Sequence, residues 1–215
     1  MPDPVPDARR AVAALLAAVG WFALVLQLGI MLRNAANAGT SLLAAVGSFL
    51  SFFTVLSNLL VAARLTATIP AVSPRSLRPL IEPPGATALA VYITVVGVVY
   101  SLVLRRLWHP TGAQLVADIL LHDVLPPAYV IYWLTLVPKG RLRWQHVWPW
   151  LAFPVVYTGA SLVRGALIDV YPYPFIDVAL LGYQRVLGNV ALLCAGFFVL
   201  GLMYVAVDRV MRRRC

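Results

Sequence analysis

An all-α, polytopic membrane protein with six transmembrane helices is what this sequence predicts, and three observations carry it. Hydrophobic residues fill 61% of the 215 positions and charged residues only 12%, with a mean hydropathy of +0.85. A soluble domain holds about 25% charged residues. Six apolar windows are each long enough to cross a hydrocarbon core as helix, which takes about 20 residues. Lysine and arginine are also distributed unequally between the two sides that six crossings define.

The first window, Ala11–Leu32, follows Arg9 and Arg10 and ends at Arg33. Arginines before an apolar run also describe a signal peptide, with Ala36-Asn37-Ala38 as a cleavage site. The run covers 22 residues, beyond the 7–15 of a signal h-region, so a retained helix is expected. The second window is Leu42–Ala63 and the third Ala86–Leu104. Between them, residues 69–84 carry Pro70, Pro74, Pro79, Pro83 and Pro84 and are expected to form an irregular surface loop. The fourth window, Ala113–Val137, contains Pro126 and Pro127; the fifth, Val147–Val163, is the shortest. Before the sixth, Val186–Val207, the stretch Tyr171-Pro172-Tyr173-Pro174-Phe175 suits a rigid segment at the membrane interface. Barrel strands are excluded, because the runs are too long and lack alternation. No internal repeat is visible, and residues 1–215 are read as a single six-helix transmembrane domain.

Orientation follows from the basic residues. Arg9, Arg10, Arg64, Arg75, Arg78, Lys139, Arg141, Arg143, Arg209, Arg212, Arg213 and Arg214 fall on one side, twelve in all. The other side has five: Arg33, Arg105, Arg106, Arg164 and Arg185. The positive-inside rule puts both termini in the cytoplasm, in agreement with the even number of crossings, which requires both termini on one side. The location expected is the cell membrane, in particular a bacterial inner membrane. The net charge of +9 is scattered over connections, so it speaks for anionic lipid headgroups and against a nucleic-acid partner. Cys194 and Cys215 form neither a disulfide framework nor a zinc spacing, and the last residues are not a prenylation box.

Ionisable side chains inside a bilayer are costly and usually functional. The fourth window holds Asp118, His122 and Asp123, and Gln114, Asp118 and His122 recur every four residues on one helical face. That spacing lets a carboxylate fix the tautomer of the imidazole, as the third member of a catalytic triad does. Pro126 and Pro127 cannot donate to the carbonyls of His122 and Asp123, so a kink with exposed polar backbone is expected. The bland alternative is a structural kink with a hydrogen-bonded histidine. In the second window, Ser51, Thr54, Ser57 and Asn58 share a face; an isolated stripe of this kind is usually interhelical glue. Depth connects the two stripes: at 1.5 Å per residue Thr54 lies roughly 15–18 Å from the outer end and His122 roughly 14 Å. Arg164, on a stripe with Tyr157 and Ser161, is either an interface anchor or a carboxylate clamp, and Asn189 reads as packing glue.

Two of these segments look like a known family. Phe52-Phe53-Thr54-Val55-Leu56-Ser57-Asn58 resembles the helix-two motif of the androgen-induced-gene family of six-helix membrane proteins. Leu120-Leu121-His122-Asp123-Val124-Leu125-Pro126 is similar to its helix-four histidine motif, and the Tyr171–Phe175 stretch through Gly182-Tyr183 to its bacterial members. The resemblance covers essentially all six helices, with the first two motifs specific. It implies an intramembrane hydrolase of fatty acid esters of hydroxy fatty acids, with Thr54 as nucleophile and His122 as base. The Thr54–His122 segment is more compact than in the animal proteins, so the resemblance implies the chemistry more strongly than the lipid.

The chemistry agrees with that implication. A threonine hydroxyl becomes a nucleophile when a base within hydrogen-bond reach takes its proton, and imidazole suits the task. Asp118 or Asp123 would orient His122, and Asn58 or Ser57 would donate to the oxyanion. The partners expected are a lipid ester substrate and membrane lipids. No cofactor or metal is expected: His109 lies in the third connection and His146 at the end of the fifth window, so only His122 is deep, and beyond adjacent Asp123 no third ligand accompanies Asp118 and His122. A small transporter would use similar midplane polar groups and a broken helix, but it would normally show repeats. A non-catalytic, lipid-binding or scaffolding protein would leave Thr54 and His122 in contact with protein alone.

Overall fold

The computed structural model describes residues 7–69 and 78–212, and among these there are helices and no strands. Half of the expected proline-rich loop (70–77), with Arg75, lies outside the described residues, as do Arg213, Arg214 and Cys215; of the other half, 78–81 and 83–84 are helical rather than irregular. The chain divides into two compact units, one ending at Pro138 and one beginning at Lys139. Five helical segments are long and apolar enough to cross a membrane, and a bent pair makes a sixth if it counts as one span.

In the first unit, α1 (Asp7–Asn37) runs 31 residues, about 46 Å at 1.5 Å per residue. Its buried face is small: Ala13, Ala17, Gly20 and Ala23 line it. Lipid supplies no hydrophobic drive between helices, so close backbone packing at small residues holds them. A Cβ on Gly20 would lie 3.3 Å from the Ala62 side chain of α3 (Phe53–Thr68), a measure of how near the two helices pass. Trp21 Nε1 adds a 3.0 Å hydrogen bond to Thr66 Oγ1.

The second window is not one helix. α2 (Leu42–Leu50) stops and α3 starts at Phe53 after a 77° bend. Ser51 closes α2: its N–H and its hydroxyl both reach the Ser48 carbonyl, the hydroxyl at 2.7 Å. Phe52 then adopts an extended conformation (φ −88°, ψ 128°) and turns the chain. Ala23, Leu24, Phe49, Val55, Ala62, Leu121 and Leu125 pack as one core behind the bend. α3 also runs past the expected end at Ala63, and Arg64, counted above among the connections, is a fully buried helical residue. Its Nε donates to the Leu80 carbonyl at 3.1 Å, and its guanidinium lies over the rings of Tyr129 and Tyr132. The long aliphatic stem and weakly hydrated head of arginine permit such a site.

After α4 (Arg78–Ile81), α5 (Pro83–Leu102) opens on two prolines, where a missing N–H costs nothing. α6 (Gly112–Ile119) and α7 (Leu125–Leu136) are joined by a π-helical turn, Leu120–Val124. Trp133 Nε1 donates to Thr87 Oγ1 at 2.8 Å and Tyr129 to the Ala86 carbonyl at 3.2 Å, fixing α7 on α5.

In the second unit, a 3₁₀ turn and α8 (Val147–Trp150) lead into α9 (Ala152–Ile168), and the unit ends in α10 (Val178–Arg212). α10 starts eight residues before the expected sixth window and is interrupted at Gly182, whose φ of 73° a side-chain-bearing residue rarely adopts. Gly201 of α10 passes α8 closely, since a Cβ there would lie 2.9 Å from Val147. Asn189 Nδ2 donates to the Phe175 carbonyl at 2.8 Å and ties the helix to the tyrosine–proline segment.

Candidate active site

Thr54 is the second residue of α3, immediately past the break, and not a residue in the middle of a continuous helix. The positive end of the α3 dipole therefore lies beside its hydroxyl. The bend has no proline or glycine to cause it, which is why the apolar window concealed it.

His122 sits in the π turn. Leu125 N–H reaches the Leu120 carbonyl, five residues back. In that register Pro126 and Pro127 would serve Leu121 and His122, and neither has an N–H to give. The unserved carbonyls are thus shifted one residue from the α-helical expectation of His122 and Asp123. Asn58 makes up one of the losses: its Nδ2 donates to the Leu121 carbonyl at 3.3 Å and to the Thr54 carbonyl at 2.9 Å. Asn58 therefore couples the start of α3 to the π turn. With its amide committed to two carbonyls, it does not stand as the oxyanion donor proposed from the sequence. The Ser57 hydroxyl is fully buried and uncommitted, with no partner among the described residues.

The polar side chains form one chain. His122 Nε2 lies 3.3 Å from Thr54 Oγ1. His122 Nδ1 faces the Asp118 main-chain carbonyl at 3.0 Å and the Asp118 carboxylate at 3.3 Å. Both neighbours of Nδ1 are acceptors, so the proton of a neutral ring belongs on Nδ1, leaving the Nε2 lone pair toward Thr54. Tyr100 of α5 completes the arrangement: its hydroxyl donates to the second Asp118 oxygen, and its ring stacks on His122 with centroids 4.1 Å apart. Thr54, Asp118 and Tyr100 are buried, and only 13% of the His122 side chain is exposed.

Asp118 and Asp123 have different neighbours. Asp118 faces His122, whereas Asp123 pairs with Arg105, whose guanidinium also lies over the Tyr100 ring. Gln114, on the same stripe as Asp118, turns instead to α1, where its Nε2 donates to Gln27 Oε1 at 2.7 Å. Arg164 belongs to the second unit and donates to the Val170 carbonyl at 3.0 Å, capping the end of α9. Tyr100 and Arg105 were not singled out in the sequence. A tyrosine near the end of an apolar window and an arginine just past it are ordinary interface residues, and nothing in their spacing points at His122.

An apolar groove of about 630 Å³ runs between α5 and the π turn–α7 segment. Thr94, Gly97, Val98, Pro126, Pro127 and Val130 line it, and His122 and Asp123 form part of its wall. Gly97 allows α5 to approach the kink, since a Cβ there would lie 3.2 Å from Pro126 and 3.5 Å from the His122 carbonyl oxygen. Among the described residues, no three His, Cys, Asp or Glu side chains converge as a metal would require. No protein-family model, curated protein or solved structure matches the chain.

Proposed function

We propose that the protein is an intramembrane lipid esterase that hydrolyses long-chain fatty acyl esters, in the manner of the androgen-induced-gene family that its motifs resemble. The observation that carries this reading is the continuous Thr54–His122–Asp118 chain, with Nε2 3.3 Å from Oγ1 and Nδ1 held by two acceptors.

In the proposed reaction Thr54 Oγ1 attacks the ester carbonyl carbon while its proton passes to His122 Nε2. The negative charge that develops on the carbonyl oxygen forms beside the N-terminal end of α3, whose dipole opposes it. Collapse breaks the bond to the alcohol oxygen, which leaves with the proton from Nε2, and an acyl group remains on Thr54. Water, deprotonated by His122, then releases the fatty acid and restores the hydroxyl. Asp118 holds the ring in register and balances the imidazolium of each step. We assign the acyl chain to the α5–α7 groove, which His122 borders and at whose wall Val98 is exposed.

With Arg64 taken into α3, eleven basic residues against five still favour both termini in the cytoplasm, with the connection at Lys139–Arg143 on the same side. A cysteine introduced at Lys139 is then labelled by an impermeant reagent only after the membrane is opened.

Single and double substitution tests the chemistry. Thr54→Ala and His122→Ala should each remove most turnover of a nitrophenyl ester, and the double variant little more, because nucleophile and base act as a unit. A double loss far exceeding either single loss means independent residues and defeats the mechanism. The broken α2–α3 span also suits a transporter; wild-type protein without esterase activity, but with substrate uptake that survives Thr54→Ala, would select that function.

A further inference from the structure

The second unit carries a cluster of cations that the hydrolytic reading does not use. Arg141, Arg143, Arg209 and Arg212 surround a concavity of about 730 Å³, whose wall Gly140 and Leu142 complete. The concavity lies where the long apolar run of α10 ends in Asp208-Arg209, Arg212 being the last described residue of the helix.

Its parts are held in place. Asp208, 1% exposed, accepts the Leu142 N–H at 3.0 Å, which anchors the loop that bears Arg141 and Arg143 to α10. That carboxylate is turned to the main chain and pairs with none of the four guanidiniums. Gly140 has a φ of 77°, and a Cβ there would lie 2.5 Å from Arg212 Cδ, so the stem of Arg212 crosses the glycine. The Arg209 guanidinium is seated over the Trp144 ring, 4.8 Å from its centroid. The unit's other described carboxylates, Asp169 and Asp177, cap the distant ends of α9 and α10. Asp177 is separated from Arg209 by most of α10, on the order of 40 Å at 1.5 Å per residue. Four positive groups thus line one hollow, and among the described residues no carboxylate pairs with them.

We propose that this concavity is a binding site for the phosphate of an anionic phospholipid. Guanidinium groups present paired donors that match phosphate oxygens. Exposed Trp144, on whose ring Arg209 is seated, is a residue type of the membrane interface, at the level of the headgroups. Basic pockets between helices at the cytoplasmic face take lipid headgroups of this class. Free phosphate offers the same chemistry, but it brings no acyl chains to lie against the exposed apolar face of α10, where Met203, Val207 and Val210 point outward.

The test uses the purified full-length protein in detergent, with bound lipid counted by native mass spectrometry. Phosphatidylglycerol should occupy one tight site, and phosphatidylcholine should not. Arg209→Gln/Arg212→Gln should weaken the phosphatidylglycerol site at least tenfold while the helical circular dichroism is unchanged. The charge-matched pair Arg33→Gln/Arg185→Gln should retain it, which separates a site from general attraction to charge. Inorganic phosphate at 10 mM should leave the lipid in place. Equal phosphatidylglycerol affinity in the wild type and the Arg209/Arg212 variant would overturn the proposal, as would equal losses in both double variants. Displacement by inorganic phosphate would overturn it too, by making free phosphate the ligand.

Discussion

Replacing Asp118 by asparagine probes the point where geometry and chemistry meet. One carboxylate oxygen lies 3.3 Å from His122 Nδ1, and the other accepts the Tyr100 hydroxyl. In the variant, Tyr100 continues to donate to the amide oxygen, which turns the NH2 group toward Nδ1. Two donors then face each other unless the ring proton moves to Nε2, where it blocks the base. In serine triads the same change costs about 10⁴ in kcat, or roughly 5.4 kcal/mol at 1.36 kcal/mol per decade. Here the Asp118 main-chain carbonyl also holds Nδ1, at 3.0 Å. A hydrogen bond of this kind, worth about 1–1.5 kcal/mol, survives the substitution and offsets about one decade. The expected fall in kcat is therefore about a thousandfold, measured with a long-chain nitrophenyl ester in mixed micelles, with the thermal midpoint nearly unchanged. Adding Tyr100→Phe should restore part of the lost rate, because the amide is then free to present its oxygen. Unaltered turnover in Asp118→Asn would make the carboxylate structural, and failure of Tyr100→Phe to rescue would refute the proposed orientation.

Three further outcomes follow from particular contacts. Asn58→Leu leaves the Leu121 carbonyl without its donor in an apolar setting and should cost about 1–3 kcal/mol of stability, read by thermal unfolding in detergent. The same variant should lose activity even at temperatures where it remains folded, because Asn58 couples α3 to the π turn. Gly97→Val should displace Pro126 and narrow the groove, raising KM for long esters more than for short ones in steady-state kinetics. With the wild type, kcat/KM should climb with acyl length by up to about fourfold per methylene, since each buried CH₂ contributes about 0.8 kcal/mol; a flat profile would remove the groove from the reaction.

Much of this arrangement was legible before any coordinates. Apolar windows of about 20 residues locate membrane helices because lipid leaves the backbone no other partner. The four-residue spacing of Asp118 and His122 placed a carboxylate beside an imidazole, and Pro126-Pro127 marked a disturbed helix. What stayed hidden depended on tertiary contacts. Nothing in Ser48–Phe53 distinguishes a helix that bends by 77° from one that continues, because the serine hydroxyl that ends α2 bonds just as well inside a helix. Asp118 and Asp123 are equally plausible partners in sequence; Arg105, from the preceding connection, claims Asp123. Tyr100 was invisible for a similar reason, since its role exists only where α5 meets the π turn. Arg64 looked like a loop charge because its two tyrosine neighbours come from α7, more than 60 positions away.

The central claim is a covalent one, and the mass of the Thr54 peptide tests it most directly. Full-length protein is incubated with a long-chain fluorophosphonate or quenched during turnover of a long-chain ester, then digested and sequenced by tandem mass spectrometry. The expected result is an adduct on Thr54 Oγ1 in the wild type, much reduced in His122→Ala and absent in Thr54→Ala. An active wild-type protein whose Thr54 peptide stays unmodified, or an adduct that persists on another residue in Thr54→Ala, would contradict it.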